Sequence, residues 1–466
     1  MYSGQARTPQ PKGRPAVPRC AFVTLGCKVN QYDTQAVREA LARLGYEEAP
    51  PAAQAELYVV NTCCVTRASH AKGLQAIRRI ARQHPDACIV VTGCSAETDA
   101  AALREMPGVR CVLGNDAKPL LAQLIAQLPD KLPPGSSPAP FFHPSIHPPI
   151  QPSSPTTAPP WPAISSFAGH TRAFVKIEDG CNDFCSYCIV PHVRGRVRSR
   201  PPDDVVAEVA RLVANGYLEV VLTGIHLGAY GLDTQGAWGL VPLVERLLAT
   251  PGLRRLRLSS LELREVSDGL IALAAASPIF CPHFHIPLQS GDDDVLRAMS
   301  RRYTVADFLR RLAAIRARIA EPAITTDLIV GFPGETDEQF RRTVEVARRA
   351  AFSRIHIFPY SDRPGTPASA MPGKLPWETI RARREEMKAV AADLMAAYHR
   401  RFVGRTVEPL VESERDRRSG LLAGYTERYV RTLFAGPDEL RGTIAPVRVT
   451  AATAAGLRAE SCEDPR

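Results

Sequence analysis

The sequence predicts an α/β chain in three folded parts: a parallel-sheet α/β domain over residues 20–130, a domain of six βα units over 166–375, and a small antiparallel β-barrel over 403–466. Three observations predict it. Short runs rich in β-branched residues alternate with stretches of helical apolar spacing through the first two parts, the pattern of parallel strands covered by helices. A stretch dense in Pro and Ser, residues 131–165, separates those two parts. After a long charged helical stretch at 376–402 the pattern changes to short strands divided by turns, which fits a small antiparallel barrel.

At 466 residues the chain has room for two or three domains of roughly 100–200 residues each. No run of 18 or more apolar residues is present, so no membrane span is expected. Residues 1–19 are basic and Pro-rich without an apolar h-region, and read as a disordered lead-in, not a signal peptide. A cytoplasmic protein is expected, and its 12 cysteines then argue for metal or redox chemistry over disulfides. The net charge of +10 suits an anionic partner such as RNA, although it is spread over all segments. Arg194, Arg196, Arg198 and Arg200 form the one sharp basic run, and in an extended segment all four would line one surface.

In the first domain CAFVTLG, ELYVVNT, CIVVTG and VRCVLG read as strands, with TQAVREALARLG, RASHAKGLQAIRRIARQ and ETDAAALREM as helices between them. The working edge of such a sheet is the carboxyl ends of its strands. Cys27, Cys63 and Cys94 fall there, after AFVTLG, LYVVNT and IVVTG. Three thiolates at one sheet edge suit a cluster with one iron left open; buried structural cysteines are the alternative on periodicity alone. Cys64 adjoins Cys63, but Cys63 directly follows Asn61-Thr62 at the strand end and is the favoured ligand. The 131–165 linker is too polar and Pro-rich to fold; it spans on the order of 30 Å as a coil or about 100 Å in polyproline form.

The second domain opens with RAFVKIED and the run IEDGCNDFCSYCIVPHVRGR, residues 177–196. Cys181, Cys185 and Cys188 stand in a C-x3-C-x2-C pattern, and no second cysteine or histidine pair follows to complete a structural zinc site. Iron–sulfur clusters are commonly held by four cysteines, so three leave one iron open to a substrate. Further strands are expected at EVVLTG, RLRLSS, HFHIPL, AITTDLIVG and RIHIFPYS. Their carboxyl ends carry Thr223-Gly224-Ile225-His226, Gln289-Ser290, and Ile329, Gly331 and Glu335; turn-forming or helix-capping roles are the plain reading for these, Glu335 lying just before a helix start at Thr336. His285 and His356 read as hydrogen-bonded core histidines, not ligands. In the last part Tyr425, Arg428, Tyr429 and Arg431 offer aromatic and cationic surface for stacking bases and meeting phosphates, or else fill a small barrel.

The cysteine run, with an aromatic residue before its last member, resembles the signature of the radical S-adenosylmethionine enzymes. TLGCKVNQYDT, VVNTCCVT and TGCSAE resemble the N-terminal domain of the methylthiotransferases within that superfamily, and HIPLQSGDDDVLRAMSRRYT and HIFPYSDRPGTPA resemble further motifs of the same family. The KVNQYDT wording is most similar to the branch acting on threonylcarbamoyladenosine in tRNA. The resemblance covers about 20–130 and 166–466.

It implies a partial TIM-like barrel and a C-terminal RNA-binding TRAM-like domain. It implies two [4Fe-4S] clusters, one on Cys181, Cys185 and Cys188 chelating S-adenosylmethionine at its open iron, the other on Cys27, Cys63 and Cys94. Thr223, Gly224, Ile329, Gly331 and Glu335 match positions of cofactor contact, with Gln289, Ser290 and Arg302 as further contacts on the substrate or cofactor side. The implied reaction is radical insertion of a methylthio group at C2 of N6-threonylcarbamoyladenosine at tRNA position 37. Its implied partners are the tRNA anticodon stem-loop and a flavodoxin- or ferredoxin-type electron donor, and a monomer is expected. The family usually joins its first two domains more briefly, so the long linker is a departure. The competing expectations are a methylthiotransferase for isopentenyladenosine or for a ribosomal-protein aspartate, and a non-catalytic iron–sulfur RNA-binding or electron-transfer protein.

Overall fold

The computed structural model describes residues 17–126 and 161–462. Most of the expected lead-in and of the Pro/Ser-rich linker lies outside the described residues. The first unit runs β1 (Arg19–Thr24), α1 (Lys28–Arg43), β2 (Glu47–Glu48), β3 (Leu57–Thr62), α2 (Arg67–Gln83), β4 (Cys88–Gly93), α3 (Cys94–Thr98), α4 (Ala100–Arg104), β5 (Val109–Leu113) and α5 (Leu121–Ala126). Its strands form one parallel sheet in the order β2-β1-β3-β4-β5. Val60, Ile89 and Val91 pack into one apolar cluster and Phe22, Val59 and Val90 into another, so side chains on opposite faces of the pleat are both covered.

The second unit runs β6 (Ala173–Lys176), β7 (Glu178–Asp179), α6 (Val190–Arg194), β8 (Arg198–Ser199), α7 (Pro202–Ala214), β9 (Glu219–Thr223), α8 (Leu240–Leu248), β10 (Arg255–Leu258), α9 (Asp268–Ala276), β11 (His283–His285), α10 (Asp293–Ala298), α11 (Val305–Arg318), β12 (Ala323–Val330), α12 (Asp337–Ala350) and β13 (Arg354–Pro359). Two parallel three-stranded arcs, β6-β9-β10 and β11-β12-β13, meet through bridges at Leu256–Phe280 and Ser260–His285. The six strands in chain order make the partial barrel that the sequence predicts. Its core lies between strands and helices, with Val221, Leu256, Phe284, Leu328 and Ile355 meeting Leu212, Leu247, Ile315 and Val346. Capping boxes at Thr304 and Thr336 fix where α11 and α12 start, each threonine accepting from the backbone N–H three residues on.

A long helix, α13 (Trp377–Arg400), leads to the third unit: β14 (Thr406–Val407), β15 (Leu410–Val411), β16 (Leu422–Tyr425), β17 (Arg431–Phe434), β18 (Val447–Thr453) and β19 (Gly456–Ser461). These form a curled sheet in the order β14-β18-β19-β17-β16-β15. The sheet is not wholly antiparallel as expected: β19 is antiparallel to β18 but parallel to β17, because the β18–β19 hairpin inserts after β17 and returns along it.

This sheet sits against the amino ends of the barrel strands. Arg255 donates to the Tyr425 carbonyl (3.1 Å), and Arg257 to the carbonyls of Glu427 (2.8 Å) and Thr426 (3.3 Å). The Arg172 guanidinium stacks on Tyr425 and Tyr429, and that of Arg257 on Tyr429. Arg428 donates to the carbonyls of Glu321 and Ala320, and Arg431 pairs with Asp416. Of the two readings of Tyr425, Arg428, Tyr429 and Arg431, a base-stacking surface or packing, these contacts favour packing: the four fasten the sheet to the barrel or to itself.

The linker expectation is corrected at its end. Tyr32 donates to the Pro162 carbonyl (2.7 Å), Glu39 accepts from the Ser165 and Ser166 amides, and Glu208 accepts from Ile164 N (2.9 Å). Residues from Trp161 onward are thus docked between α1 and α7.

Candidate functional site

Three parallel strands deliver Cys27, Cys63 and Cys94 to one edge. Cys27 precedes the first residue of α1, Cys63 follows β3, and Cys94 opens α3 directly after β4. The approach is close: a Cβ on Gly26 (φ +103°) would stand 3.0 Å from the Cys63 sulfur, and one on Gly93 (φ +95°) 2.3 Å from the Thr62 carbonyl oxygen. Only glycine fits either turn. The Cys63 thiol is pushed up by burial, with the neighbouring charges of Cys94 and Cys27 adding to it. Cys64 lies beside Cys94, Ile189 and Val193 in one small apolar cluster. Its thiol donates to Cys94, and that bond, with the charges of Arg194 and Lys118, outweighs burial and holds Cys94 well below the ordinary thiol range.

Beneath this edge lies a buried ionic network. Asp33 accepts from Lys118 (2.9 Å) and from Lys176; Arg194 donates to Asp179 (3.0 Å) and to Asn30. Burial alone would raise the Asp33 carboxyl, but the cations of Lys118, Lys176 and Arg194 win and hold it far below the ordinary range. The expected surface row of four arginines is thereby corrected. Arg194 ends a helical turn and is sealed among Asp33, Asp179 and Cys94. Arg200 is buried on Glu208 and Tyr32, and Arg198 lies over Trp161; Arg196 is exposed.

The second thiol group lies in the loop after β7. Cys188 N donates to Cys185 O (2.9 Å), folding the run so that the three sulfurs influence one another. Burial and the Cys185 charge push the Cys188 thiol up to about 12. Arg301 donates to the Cys185 sulfur (3.4 Å) and to Glu262 (3.1 Å). His226 Nδ1 lies 3.6 Å from the Cys181 sulfur, and its Nε2 pairs with Glu265. The sequence reading missed Arg301 and His226 in these roles. It favoured Arg302, which is exposed and lines the hollow beside Cys185 and Glu262, and took contact at the turn after β9 to run through backbone or Thr223. An arginine one residue along from the expected one gives no sequence signal; only the chain path separates them.

Of the other expected contacts, Ile329, Thr223 and Gly224 lie beside this loop, whereas Gly331 and Glu335 pack toward α13 and Ser290 toward α12. Ile329 packs with Val295, Met299, Phe332 and Tyr187, the aromatic residue before Cys188. Gly331 (φ +77°) faces Ile380 of α13, where a Cβ would stand 2.5 Å from it. Glu335 is buried and accepts from Gly331 N (2.8 Å) and Arg383 (2.7 Å). Thr223 is buried at the end of β9, and at Gly224 a Cβ would stand 2.6 Å from the Glu178 carboxylate. Glu178 accepts from His226 N (2.7 Å) and is pushed well above the ordinary carboxyl range by burial. Ser290 is buried against Thr343.

A single element joins the two thiol groups. α6 begins two residues after Cys188, and its Val193 and Arg194 touch Cys64 and Cys94. Asn115 beyond β5 donates to the Val193 carbonyl (2.7 Å). The five residues of α6 rise about 7.5 Å, so one short helix links the Cys188 loop to the edge that carries Cys94.

The comparisons with known proteins agree with this arrangement. Residues 175–347 match the Radical SAM superfamily, and 19–114 match Uncharacterized protein family UPF0004. The chain is 35% identical to the threonylcarbamoyladenosine tRNA methylthiotransferase MtaB of Bacillus subtilis (strain 168), over 92% of this chain and 93% of that protein. It is 37% identical to the MtaB of Thermotoga maritima, over 89% and 90%. The chain belongs to the radical S-adenosylmethionine methylthiotransferase family. Among solved structures, the radical S-adenosylmethionine methyltransferase TsrM of Kitasatospora setae superposes with a TM-score of 0.54 at 19% identity, covering 76% of this chain and 77% of that one, a likeness of fold.

For a methylthiotransferase of this superfamily, S-adenosylmethionine and a [4Fe-4S] cluster are implied, and the residues fit them. Cys181, Cys185 and Cys188 converge with Arg301 as counter-charge, and a cleft beside Cys185 opens between Phe184, His192, Gly365 and Thr366. Gly26 lets the turn before Cys27 pass close to the Cys63 sulfur. Among the described residues no helix is long and apolar enough to cross a membrane.

Proposed function

We propose that this enzyme inserts a methylthio group at C2 of N6-threonylcarbamoyladenosine at position 37 of tRNA, using two iron–sulfur clusters. Cys181, Cys185 and Cys188 hold the cluster that binds S-adenosylmethionine, and Cys27, Cys63 and Cys94 hold the second. The observation that carries this reading is α6: one short helix leads from the Cys181, Cys185 and Cys188 loop to Cys94 of the second group, and three cysteines leave each group one ligand short for a four-iron cluster. An aromatic C2–H is neither acidic nor electrophilic, and when bound, the cluster and S-adenosylmethionine supply a carbon radical able to activate it.

The chain's own groups prepare that chemistry. Arg301 offsets thiolate charge at Cys185, while Arg194 and Lys118 do so at Cys94. Ile329 and Tyr187 wall the first centre, and Thr223 and Gly224 end the strand beside it. Glu335 is a positioning residue that pins Gly331. The anticodon stem-loop as the bound part of the tRNA, a flavodoxin- or ferredoxin-type electron donor, a cytoplasmic location and a monomeric state belong to the same reading. So does the division into a cluster domain (20–130), a radical domain (166–375) and an RNA-binding domain (403–466). Nucleoside mass spectrometry of tRNA from a strain lacking the gene tests it. Loss of the methylthio form of threonylcarbamoyladenosine, with methylthio-isopentenyladenosine retained, is the expected result; the reverse pattern would refute it.

A further inference from the structure

The barrel lumen carries a second group of polar side chains that neither thiol centre uses. The register of β12 and β13 pairs Asp327 with His356 and Ile329 with Phe358, and His285 ends the adjoining β11. Ile355 and Ile357, the alternating residues of β13, pack into the outer core, so His356 and Phe358 face inward. Asp327 Oδ1 lies 3.0 Å from His356 Nδ1 and 3.2 Å from His285 Nε2. His285 Nδ1 lies 2.8 Å from Thr325 Oγ1, which completes that ring's hydrogen bonding. Two imidazoles therefore share one carboxylate. Burial would raise the Asp327 carboxyl, but the hydrogen bonds and charge of the two rings hold it far below its ordinary range.

The group is open on one side. The His356 side chain is 39% exposed and Phe358 41%, although both point into a barrel. His356 Nε2 has no partner among the described residues. An exposed aromatic face beside an unpartnered imidazole nitrogen suits a nucleobase with a polar substituent. With Nδ1 donating to Asp327, His356 Nε2 presents a donor to an anion when the ring is protonated. Phe358 stands two residues along from His356, about 6.6 Å in a strand. From N6 of threonylcarbamoyladenosine to its carboxylate carbon is four bonds, a reach of about 5 Å at ordinary bond lengths.

We propose that Phe358 stacks the target adenine and that His356, oriented by Asp327 and flanked by His285, binds the carboxylate of the N6 substituent. The trio is then the element that selects threonylcarbamoyladenosine. An isopentenyl group would leave its polar atoms buried and unpaired, the arrangement that gives strong rejection. This inference rests on the substrate reading above.

The test compares two stem-loop RNAs, one carrying threonylcarbamoyladenosine and one its carboxamide analogue, on full-length protein reconstituted to matched iron content. Both anaerobic equilibrium binding and kcat/KM for methylthiolation are measured. Wild type is expected to prefer the carboxylate by about 10- to 100-fold, the range for a hydrogen bond to a charged group. His356→Phe should bring the ratio of the two substrates to near one, and His356→Gln, which keeps a hydrogen-bonding edge, should retain part of it. A His356→Phe variant that keeps the wild-type ratio, or loses both substrates equally, would overturn the inference. So would a divalent metal held by the trio in purified protein. Wild type that binds the carboxylate RNA selectively but does not methylthiolate it would instead sink the function and leave the recognition standing.

Discussion

The two thiol groups reach the same end by opposite routes. Cys181, Cys185 and Cys188 sit in one eight-residue loop, where local folding alone brings them together. Cys27, Cys63 and Cys94 come from three strands and meet only once the whole sheet has formed. The first group needs little from its surroundings beyond Arg301 and a buried loop. The second stands on a sealed network of Asp33, Asp179, Lys118, Lys176 and Arg194 and on two glycines with no room for a methyl group. The difference teaches that the N-terminal centre is the one coupled to global packing, and so the one that distant substitutions should damage first.

The largest effects should separate the groups by chemistry. Cys185→Ala is expected to abolish 5′-deoxyadenosine formation altogether, whereas Cys63→Ala should leave it and stop methylthio insertion, both read by chromatography of anaerobic reactions. Intact methylthiolation in either variant would refute that assignment. Next, Arg194→Leu takes one of three cations from Asp33 and the nearer of two from Asp179, and should cost about 1.5–3 kcal/mol, the range for a lost hydrogen bond to a charged group. Chemical denaturation should show that loss, together with lower iron content. An unchanged midpoint would mean the network is dispensable.

Gly26→Ala is a smaller and more local probe. Its positive φ and the Cys63 sulfur beside it should cost about 1–3 kcal/mol and lower N-terminal iron occupancy without touching the central loop. Equal loss of iron at both centres would erase the contrast drawn here. The smallest effect is expected at Glu178. Its buried carboxyl is raised in the folded state, so its contribution to stability is full below its ordinary value of 4.5 and is lost as pH rises above that. Glu178→Gln should therefore gain thermal stability relative to wild type at pH 8 and lose that advantage near pH 4, measured by calorimetry.

Much of this was legible in the sequence because the signals are local. Strand periodicity followed by a cysteine placed Cys27, Cys63 and Cys94 at one edge, and the C-x3-C-x2-C spacing marked the central loop. What was not legible depends on partners far along the chain. Arg194 and Arg200 read as surface charge, since nothing nearby in sequence announces Asp33 or Glu208. His285 and His356 read as hydrogen-bonded core histidines; both bond to Asp327, but the His356 side chain is 39% exposed, and the open side of the lumen follows from strand register. Tyr425 and Tyr429 carried the marks of a base-stacking surface, and Arg172 and Arg257 claim them instead.

That last contact has a mechanical consequence. Because the curled sheet is clamped to the foot of the barrel by guanidinium–ring stacks and main-chain hydrogen bonds, it cannot act as a loosely tethered arm that sweeps for RNA. In the function proposed above, RNA held by this sheet would lie at a set distance from the cysteine loop, and the appendage would serve as a gauge from a remote feature of the RNA to the base that reacts.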